Sequence, residues 1–445
     1  MSTGAADTIF AVSSGAGRAA VTVIRVSGPA SHRALAAMTR RMPAAREAAL
    51  RRLVDPAGGD PLDDALVIRF DSPASETGED MIELQVHGGR AVVGAVLAAL
   101  GRLDGLRPAA PGEFARRAFA NGKLDLTQAE GLADLIEAET EAQRRQALRQ
   151  AGGSLQRLYD SWRDRLIQAQ ALVEAAIDFS DEADVAADAF DHATAIVRSL
   201  AGELDAHMAS GSRGEILRDG FKVVIAGPPN AGKSSVLNAL ARRDVAIVSP
   251  EAGTTRDVIE TRLDIGGVPV LVADTAGLRE GDAVGTIELE GMRRTRDQAR
   301  VADLVLWLVD AQVPVWSPPA DLAVTVLVVV NKCDLGAPVG GGAAADIAIS
   351  ARSGQGIEEL IAKIGNLAQS AAGDGVAIVP TSLRQRQHLQ RAAAALADFL
   401  EGAVADAELR AEELRVAATE LGRITGRIDA EDVLDRVFAR FCIGK

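Results

Sequence analysis

Over residues 1–120, apolar and polar positions alternate in short runs, Ala20–Val26, Ala65–Phe70 and Met81–Val86, and a helix-period stretch follows at Ala91–Leu103. Alternating runs bounded by turn residues predict strands, so this stretch is expected to form a small α/β or α+β domain. From Thr127 the period becomes helical. Thr127-Gln128-Ala129-Glu130 has the form of a capping box before Leu132, Leu135 and Ile136, and Gly152-Gly153 is expected to end that helix. In a second long helix, Leu155, Leu158, Trp162, Leu166, Val173 and Ile177 share one stripe that other helices must cover. Gly211–Gly214 reads as a linker.

Between Gly220 and Ala372 the chain turns to nearly continuous apolar runs, Lys222–Ala226, Val268–Ala273, Leu304–Val309 and Val324–Val330. Strands apolar on both faces belong to a parallel sheet covered by helices. After Pro380 the pattern is helical again through Leu389, Leu396, Phe399, Leu400, Leu414, Leu421, Val433 and Val437. The expected fold class is α/β and α multidomain: an N-terminal α/β domain (1–120), a discontinuous helical domain (121–216 and 378–445), and an inserted domain with a mainly parallel sheet (217–377). Two independent helical domains are the alternative.

Composition narrows the classes. With 445 residues, 48% apolar and 25% charged, the chain can bury several cores. No apolar run is long enough to predict a membrane span, and Met1–Phe10 lacks the basic start of a secretory signal. Cys333 and Cys442 are too few for a disulfide framework or a four-thiolate zinc site. A cytoplasmic location is expected. The net charge of −14 repels polyanions at long range, so any nucleic-acid contact needs a local basic patch. Arginine supplies nearly all the positive charge, lysine standing only at Lys123, Lys222, Lys233, Lys332, Lys363 and Lys445. A lysine that persists in such a chain either marks a site needing a compact ammonium or stands there by chance.

Gly227-Pro228-Pro229-Asn230-Ala231-Gly232-Lys233-Ser234 fits the phosphate-loop pattern and lies between a predicted strand and a helix beginning near Ser234. Its glycines let backbone N–H groups wrap an anion at the positive end of a helix. Lys233 reaches the β- and γ-phosphates, and the Ser234 hydroxyl ligates Mg²⁺. Asp274-Thr275-Ala276-Gly277 closes a strand, which puts Asp274 near the metal and the Gly277 N–H near the γ-phosphate. In Gly253-Thr254-Thr255-Arg256-Asp257, Thr255 offers a second Mg²⁺ ligand. Asn331-Lys332-Cys333-Asp334 follows another strand, where the Asp334 carboxylate can accept two guanine N–H groups that adenine does not present. Ser350-Ala351-Arg352 would supply a backbone N–H to guanine O6. These motifs imply GTP binding, with Ser235 among the contacts and Cys333 read as packing. Leu278, following Gly277, cannot orient the attacking water, so hydrolysis needs another device. Asn230 either closes its turn or offers a carbonyl to a monovalent cation, in a cage that carbonyls of Ser249–Thr254 would complete.

These motifs, with Asp7-Thr8-Ile9, Ile24–Gly28, His87-Gly88-Gly89, Pro111–Phe114, Asn121-Gly122-Lys123 and the ending Phe441-Cys442-Ile443-Gly444-Lys445, resemble the bacterial tRNA-modification GTPase family MnmE (TrmE) over nearly the whole chain. The resemblance implies a homodimer whose N-terminal folds bind a 5-formyltetrahydrofolate-type one-carbon donor. It implies GTPase domains that meet around K⁺. It also implies a heterotetramer with the FAD- and NADH-using MnmG (GidA), which places an aminomethyl or carboxymethylaminomethyl group on carbon 5 of the wobble uridine of certain tRNAs. Carried over, Asn230, Ser249, Glu251 and Thr254 hold K⁺, Ser234 and Thr255 hold Mg²⁺, and Glu288 orients water, with Glu290 two positions on. Arg25, Glu83, Lys123 and Lys445 form the folate site. For Arg25 and Glu83 an ordinary strand charge is the other reading, and Cys442 is either a participant in chemistry or a small buried thiol. Arg40, Arg41, Arg46, Arg51 and Arg52, with Arg144, Arg145 and Arg149, are candidate tRNA contacts, though a solvated face accounts for most of them. A ribosome- or RNA-associated GTPase switch without a modification role is the rival reading.

Overall fold

The computed structural model describes residues 7–15, 17–178, 183–243, 245, 247, 260–274, 300–313, 318, 322, 324–336, 345–373, 378–402, 407–428, 431–441 and 444. The chain divides into two compact units, one of Met1–Ala133, Ala151–Asp160 and Leu421–Lys445, the other of Asp134–Gln150 and Ser161–Glu420.

The first unit carries β1 (Thr8–Val12), β2 (Val21–Ser27), α1 (Ser31–Met38), β3 (Ala49–Val54), β4 (Pro61–Phe70), β5 (Met81–His87), α2 (Arg90–Gly101) and β6 (Leu106–Pro108). Its sheet runs β3-β4-β5-β2-β1-β6, antiparallel except for the β1–β6 pair. In β2 the alternation buries Thr22, Ile24 and Val26 and turns Val23 and Arg25 to the other face. Ile24 and Val26 join Val67, Ile82 and Leu84 in a core completed by Leu35, Met38, Val96 and Leu100 from α1 and α2.

Helices α3 (Glu113–Ala120) and α4 (Leu126–Glu137) follow. The cap of α4 differs from the expected one. Asp125 is the capping residue: its Oδ1 accepts from the Thr127 N–H, the Thr127 hydroxyl and the Gln128 N–H, and Gln128 Oε1 accepts the Asp125 N–H. Thr127 therefore lies inside the first turn, because an aspartate two residues earlier offers a stronger acceptor than its hydroxyl. The helix also stops at Glu137. A new one, α5 (Glu141–Ala151), starts after Thr140, whose N–H donates to Gln143 Oε1, so Gly152-Gly153 ends α5 and not α4.

Beyond it run α6 (Ser154–Asp178), α7 (Ala183–Ala209) and α8 (Gly211–Asp219). Gly211–Gly214 is the first turn of α8 and not a linker. A Cβ at Gly214 would collide with the Pro380 carbonyl oxygen, so its glycine serves close packing. The α/β segment holds β7 (Phe221–Ala226), α9 (Lys233–Ala241), β8 (Glu260–Ile265), β9 (Val268–Asp274), β10 (Leu304–Asp310), β11 (Thr325–Asn331), β12 (Ile347–Ala348) and α10 (Ile357–Ala372). Strand order is β12-β11-β10-β7-β9-β8, parallel but for β8, which pairs antiparallel with β9. Val223, Ile225, Val270, Leu306 and Val329 pack in one core with Val236, Leu240, Leu360 and Ile364 of the covering helices.

Among the described residues, the helices α11 (Leu383–Glu401), α12 (Ala407–Thr425) and α13 (Glu431–Phe438) follow. Helices α7 and α11, which flank the α/β segment in sequence, pack on each other, with Phe190 stacked on Phe399 at 6.0 Å. The helical part is thus discontinuous and the α/β segment is inserted into it. Helix α13 returns to the first unit, where Val437, Phe438 and Phe441 pack with Ala115, Ala129 and Ala133.

Candidate guanine-nucleotide site

The parallel register brings the carboxyl ends of four strands together: Ile225 pairs with Asp274, Trp307 with Ala226, and Asp310 with Asn331. Ligands of open α/β sheets bind outside these ends. From the end of β7 the loop Gly227–Gly232 enters α9. Gly227 (φ 141°) packs so closely on β10 that a Cβ would strike the Leu308 carbonyl oxygen, and one at Gly232 (φ 91°) would strike Asn331 Nδ2. The cradle therefore exists only with glycine at both places. Asn230 also stands at positive φ (63°), exposed at the rim, with Ser234 and Ser235 exposed on the first turn of α9. Lys233 folds over the loop and donates from Nζ to the carbonyl oxygens of Gly227 (3.1 Å) and Pro228 (3.0 Å). A cation over a glycine loop at a helix N-terminus suits a polyphosphate.

Asn331 joins this loop to the base-reading segments. It is buried, its Nδ2 donates to the Ala231 carbonyl oxygen (2.9 Å), and its Oδ1 accepts the Ala351 N–H (3.1 Å). Asp334 is exposed in the short turn Cys333–Leu335, and its Oδ1 accepts from the Ser350 hydroxyl at 2.6 Å. The serine thus orients one carboxylate oxygen of an exposed side chain. The Ser350 N–H donates to the Gln355 carbonyl oxygen, so within the segment expected to supply a backbone N–H to guanine O6 the Ser350 and Ala351 amides are already engaged. Cys333 behaves as packing: its Sγ lies 3.5 Å from the Val330 carbonyl oxygen and burial pushes its thiol pKa up. Sequence reasoning missed Asp310. It ends β10, holds Lys332 Nζ at 2.7 Å, and that ammonium keeps its carboxyl below the usual range. An acid closing an otherwise apolar strand one position before Ala311 was the available signal.

Ser249, Glu251, Gly253, Thr254, Thr255, Thr275, Ala276, Gly277 and Glu288 lie outside the described residues, as do Cys442 and Lys445; of Asp274 only the backbone is described.

The other expected site lies on the first unit's sheet. Arg25 and Glu83 are cross-strand partners, joined Nε to Oε1 at 2.9 Å, and Arg25 also meets Glu76 at 2.6 Å. Lys123 packs beside Gly78 of the same loop that carries Glu76. Gly444, one residue before Lys445, accepts the Ser13 hydroxyl at 2.6 Å just past β1. Arg25, Glu83 and Lys123 are thus gathered around one loop, but Arg25 already faces two carboxylates. Of the proposed tRNA contacts, Arg52 pairs with Asp64, Arg144 and Arg145 share Glu141, Arg46 covers the Phe70 ring, and Arg51 donates to the Arg41 carbonyl oxygen.

A parallel sheet, a glycine cradle under a lysine, and an aspartate-bearing base loop tied to it by Asn331 define a phosphate-loop GTP-binding protein. The family model described as MnmE helical domain matches residues 126–442, and that described as GTP-binding protein TrmE N-terminus matches residues 8–123. The chain belongs to the MnmE family of tRNA modification GTPases. The tRNA modification GTPase MnmE of Methylobacterium sp. (strain 4-46) is 53% identical over 99% of this chain and 100% of its own. That of Parvibaculum lavamentivorans is 54% identical over 99% and 100%. The human mitochondrial 5-taurinomethyluridine-[tRNA] synthase subunit GTPB3 is 48% identical over 99% and 94%. Membership in this family sets aside the reading of a switch without a modification role.

Proposed function

We propose that this GTPase is a K⁺-stimulated hydrolase that works with a flavoprotein of the MnmG (GidA) kind to place an aminomethyl or carboxymethylaminomethyl group on carbon 5 of wobble uridine. The observation that carries the nucleotide half is Asn331, which binds the phosphate loop on one side and the base loop on the other. GTP would lie between them, its phosphates on the Asn230–Ser235 amides and Lys233, its base on Asp334. The cradle fits Mg²⁺·GTP: Ser234 stands exposed at the start of α9, beside glycines that no larger residue can replace, and Thr255 would be the second metal ligand. Mg²⁺ would neutralise charge on the phosphates. Asn230, exposed at the rim, would offer its carbonyl to K⁺ with Ser249, Glu251 and Thr254, and Glu288 would orient water.

The remaining parts are a 5-formyltetrahydrofolate-type donor at Arg25, Glu83, Lys123 and Lys445, with Cys442 beside it. They also include a cytoplasmic homodimer, FAD and NADH on the partner, tRNA as substrate, and domain limits at 120, 216 and 377. Glu83 supports the folate reading, since a carboxylate accepts paired pterin N–H donors as Asp334 would those of guanine. The test complements a deletion strain with the wild type or Glu288→Ala and measures wobble nucleosides by mass spectrometry. Glu288→Ala should bind GTP normally yet hydrolyse it slowly and leave the uridine unmodified, and wild-type turnover should fall strongly when Na⁺ replaces K⁺. Parallel loss of GTP binding removes the role of Glu288. Equal rates in both salts remove the cation.

A further inference from the structure

Lys332 is one of three non-glycine residues at positive φ among those described, at 66°. Side-chain-bearing residues persist there only where their surroundings over-determine them. Two constraints meet at this residue. Its neighbour Asn331 is held at both ends of its carboxamide, and its own Nζ is held by Asp310 Oδ2 at 2.7 Å. The carboxylate cannot simply follow the lysine, because Asp310 Oδ1 accepts the Gln312 N–H at 3.0 Å and its backbone closes β10 opposite Asn331. The Ala311 N–H adds a bond to the Asn331 carbonyl oxygen (2.9 Å), so the segment after β10 clamps the base loop by main chain and side chain together. The side chains of the pair are only 19% and 33% exposed, which protects their attraction from solvent. In a chain that uses arginine almost everywhere, a lysine here suits a single carboxylate oxygen that a planar fork would not match.

We infer that Asp310 is a positioning residue for nucleotide binding: by holding Lys332 it keeps the Asn331–Asp334 loop in its binding shape, so guanine nucleotides leave more slowly than they would without it. The inference rests on the reading of that loop as the guanine site. A purely structural ion pair would lower stability but would not act through Lys332 on nucleotide release.

The full-length protein is used, with fluorescent GDP as the release probe and GTP hydrolysis followed over a range of substrate concentrations. Asp310→Asn keeps size and removes charge; Lys332→Met keeps the stem and removes the ammonium. Each should speed GDP release and raise KM for GTP by a common factor of about ten or more, and Asp310→Asn should keep kcat at saturation within about twofold. The double variant should be no worse than either single one. Wild-type release from Lys332→Met overturns the proposal, even if Asp310→Asn does not fold. So does a further loss when Asp310→Asn is added to Lys332→Met. Asp334→Asn tests the reading underneath. Its carboxamide can donate to a xanthine carbonyl, so preference should move from GTP towards xanthosine triphosphate. No movement removes the guanine loop, whatever the Asp310 variants do.

Discussion

Arg410 shows how a single charged residue serves the helical core. It is buried, its guanidinium carbon lies 4.2 Å and 4.3 Å from the ring centres of Phe190 and Phe399, and its Nε donates to the Phe399 carbonyl oxygen at 2.7 Å. Burial lowers its pKa, but two aromatic faces and a carbonyl compensate the lost water. Arg410→Ala should cost about 2–4 kcal/mol in denaturant melts, because it removes the guanidinium packed against both rings. A loss under half a kilocalorie would mean these contacts contribute little. Arg25 poses a different residue-scale question. Its two glutamates make the cluster net negative, so an anionic ligand must displace Glu76, whose loop is held by its neighbours Ser75 and Thr77. Glu76→Gln should therefore bind a folate more tightly in calorimetry, and weaker binding would show Glu76 to be part of the pocket.

Among elements, α7 carries a pH dependence. His207 is buried edge-on against Trp162 of α6, at 5.3 Å, and desolvation lowers its pKa from 6.5 to about 4, against a backbone hydrogen bond with Ile378. The unfolded chain takes up this proton near pH 6.5 and the folded chain only near 4, so unfolding between these values absorbs a proton. Stability from this site is full above 6.5 and is lost as pH falls towards 4, by at most about 3 kcal/mol. His388, also lowered by burial against the opposing pull of Glu420, acts in the same sense. Denaturant melts at pH 7 and pH 5 should show His207→Phe losing less on acidification than the wild type; equal losses would place the dependence elsewhere. The helix boundaries belong to this scale too. Thr127-Gln128-Ala129-Glu130 and Asp125-Leu126-Thr127-Gln128 both match a cap signature, and only the folded backbone selects the aspartate. Gly211–Gly214 looks like a linker by composition, yet its glycines allow α8 to touch Pro380, a partner far away in sequence.

For the whole molecule, net charge −14 and the pairing of Arg52, Arg144 and Arg145 with acids reduce the positive charge that these candidate contacts offer a phosphate backbone. Binding of tRNA by this chain alone should therefore show a shallow salt dependence, with a log–log slope no steeper than about −3 between 50 and 200 mM salt. Anisotropy titrations that give a slope twice as steep would reveal a basic surface not seen in these arginines. In no described helix is there a stretch long and apolar enough to cross a membrane.

Much of this protein was legible in one dimension because its signals are local. Two-sided apolar strands declare a parallel sheet, and glycine, lysine and serine at fixed spacing declare a phosphate cradle, since both depend on backbone geometry within a few residues. The antiparallel strand β8, the break between α4 and α5, and the Asp310 carboxylate under Lys332 were not legible. The first two turn on choices between local alternatives, an antiparallel return to β9 across Gly266-Gly267 and the competing caps of Asp125 and Thr140, while the ion pair depends on the end of a parallel strand that strand order brings alongside. Sequence determined which chemistry the chain carries. Tertiary structure decided which acid meets which base, because the spacing of charges in space is set by strand order and packing, and spacing along the chain does not encode it.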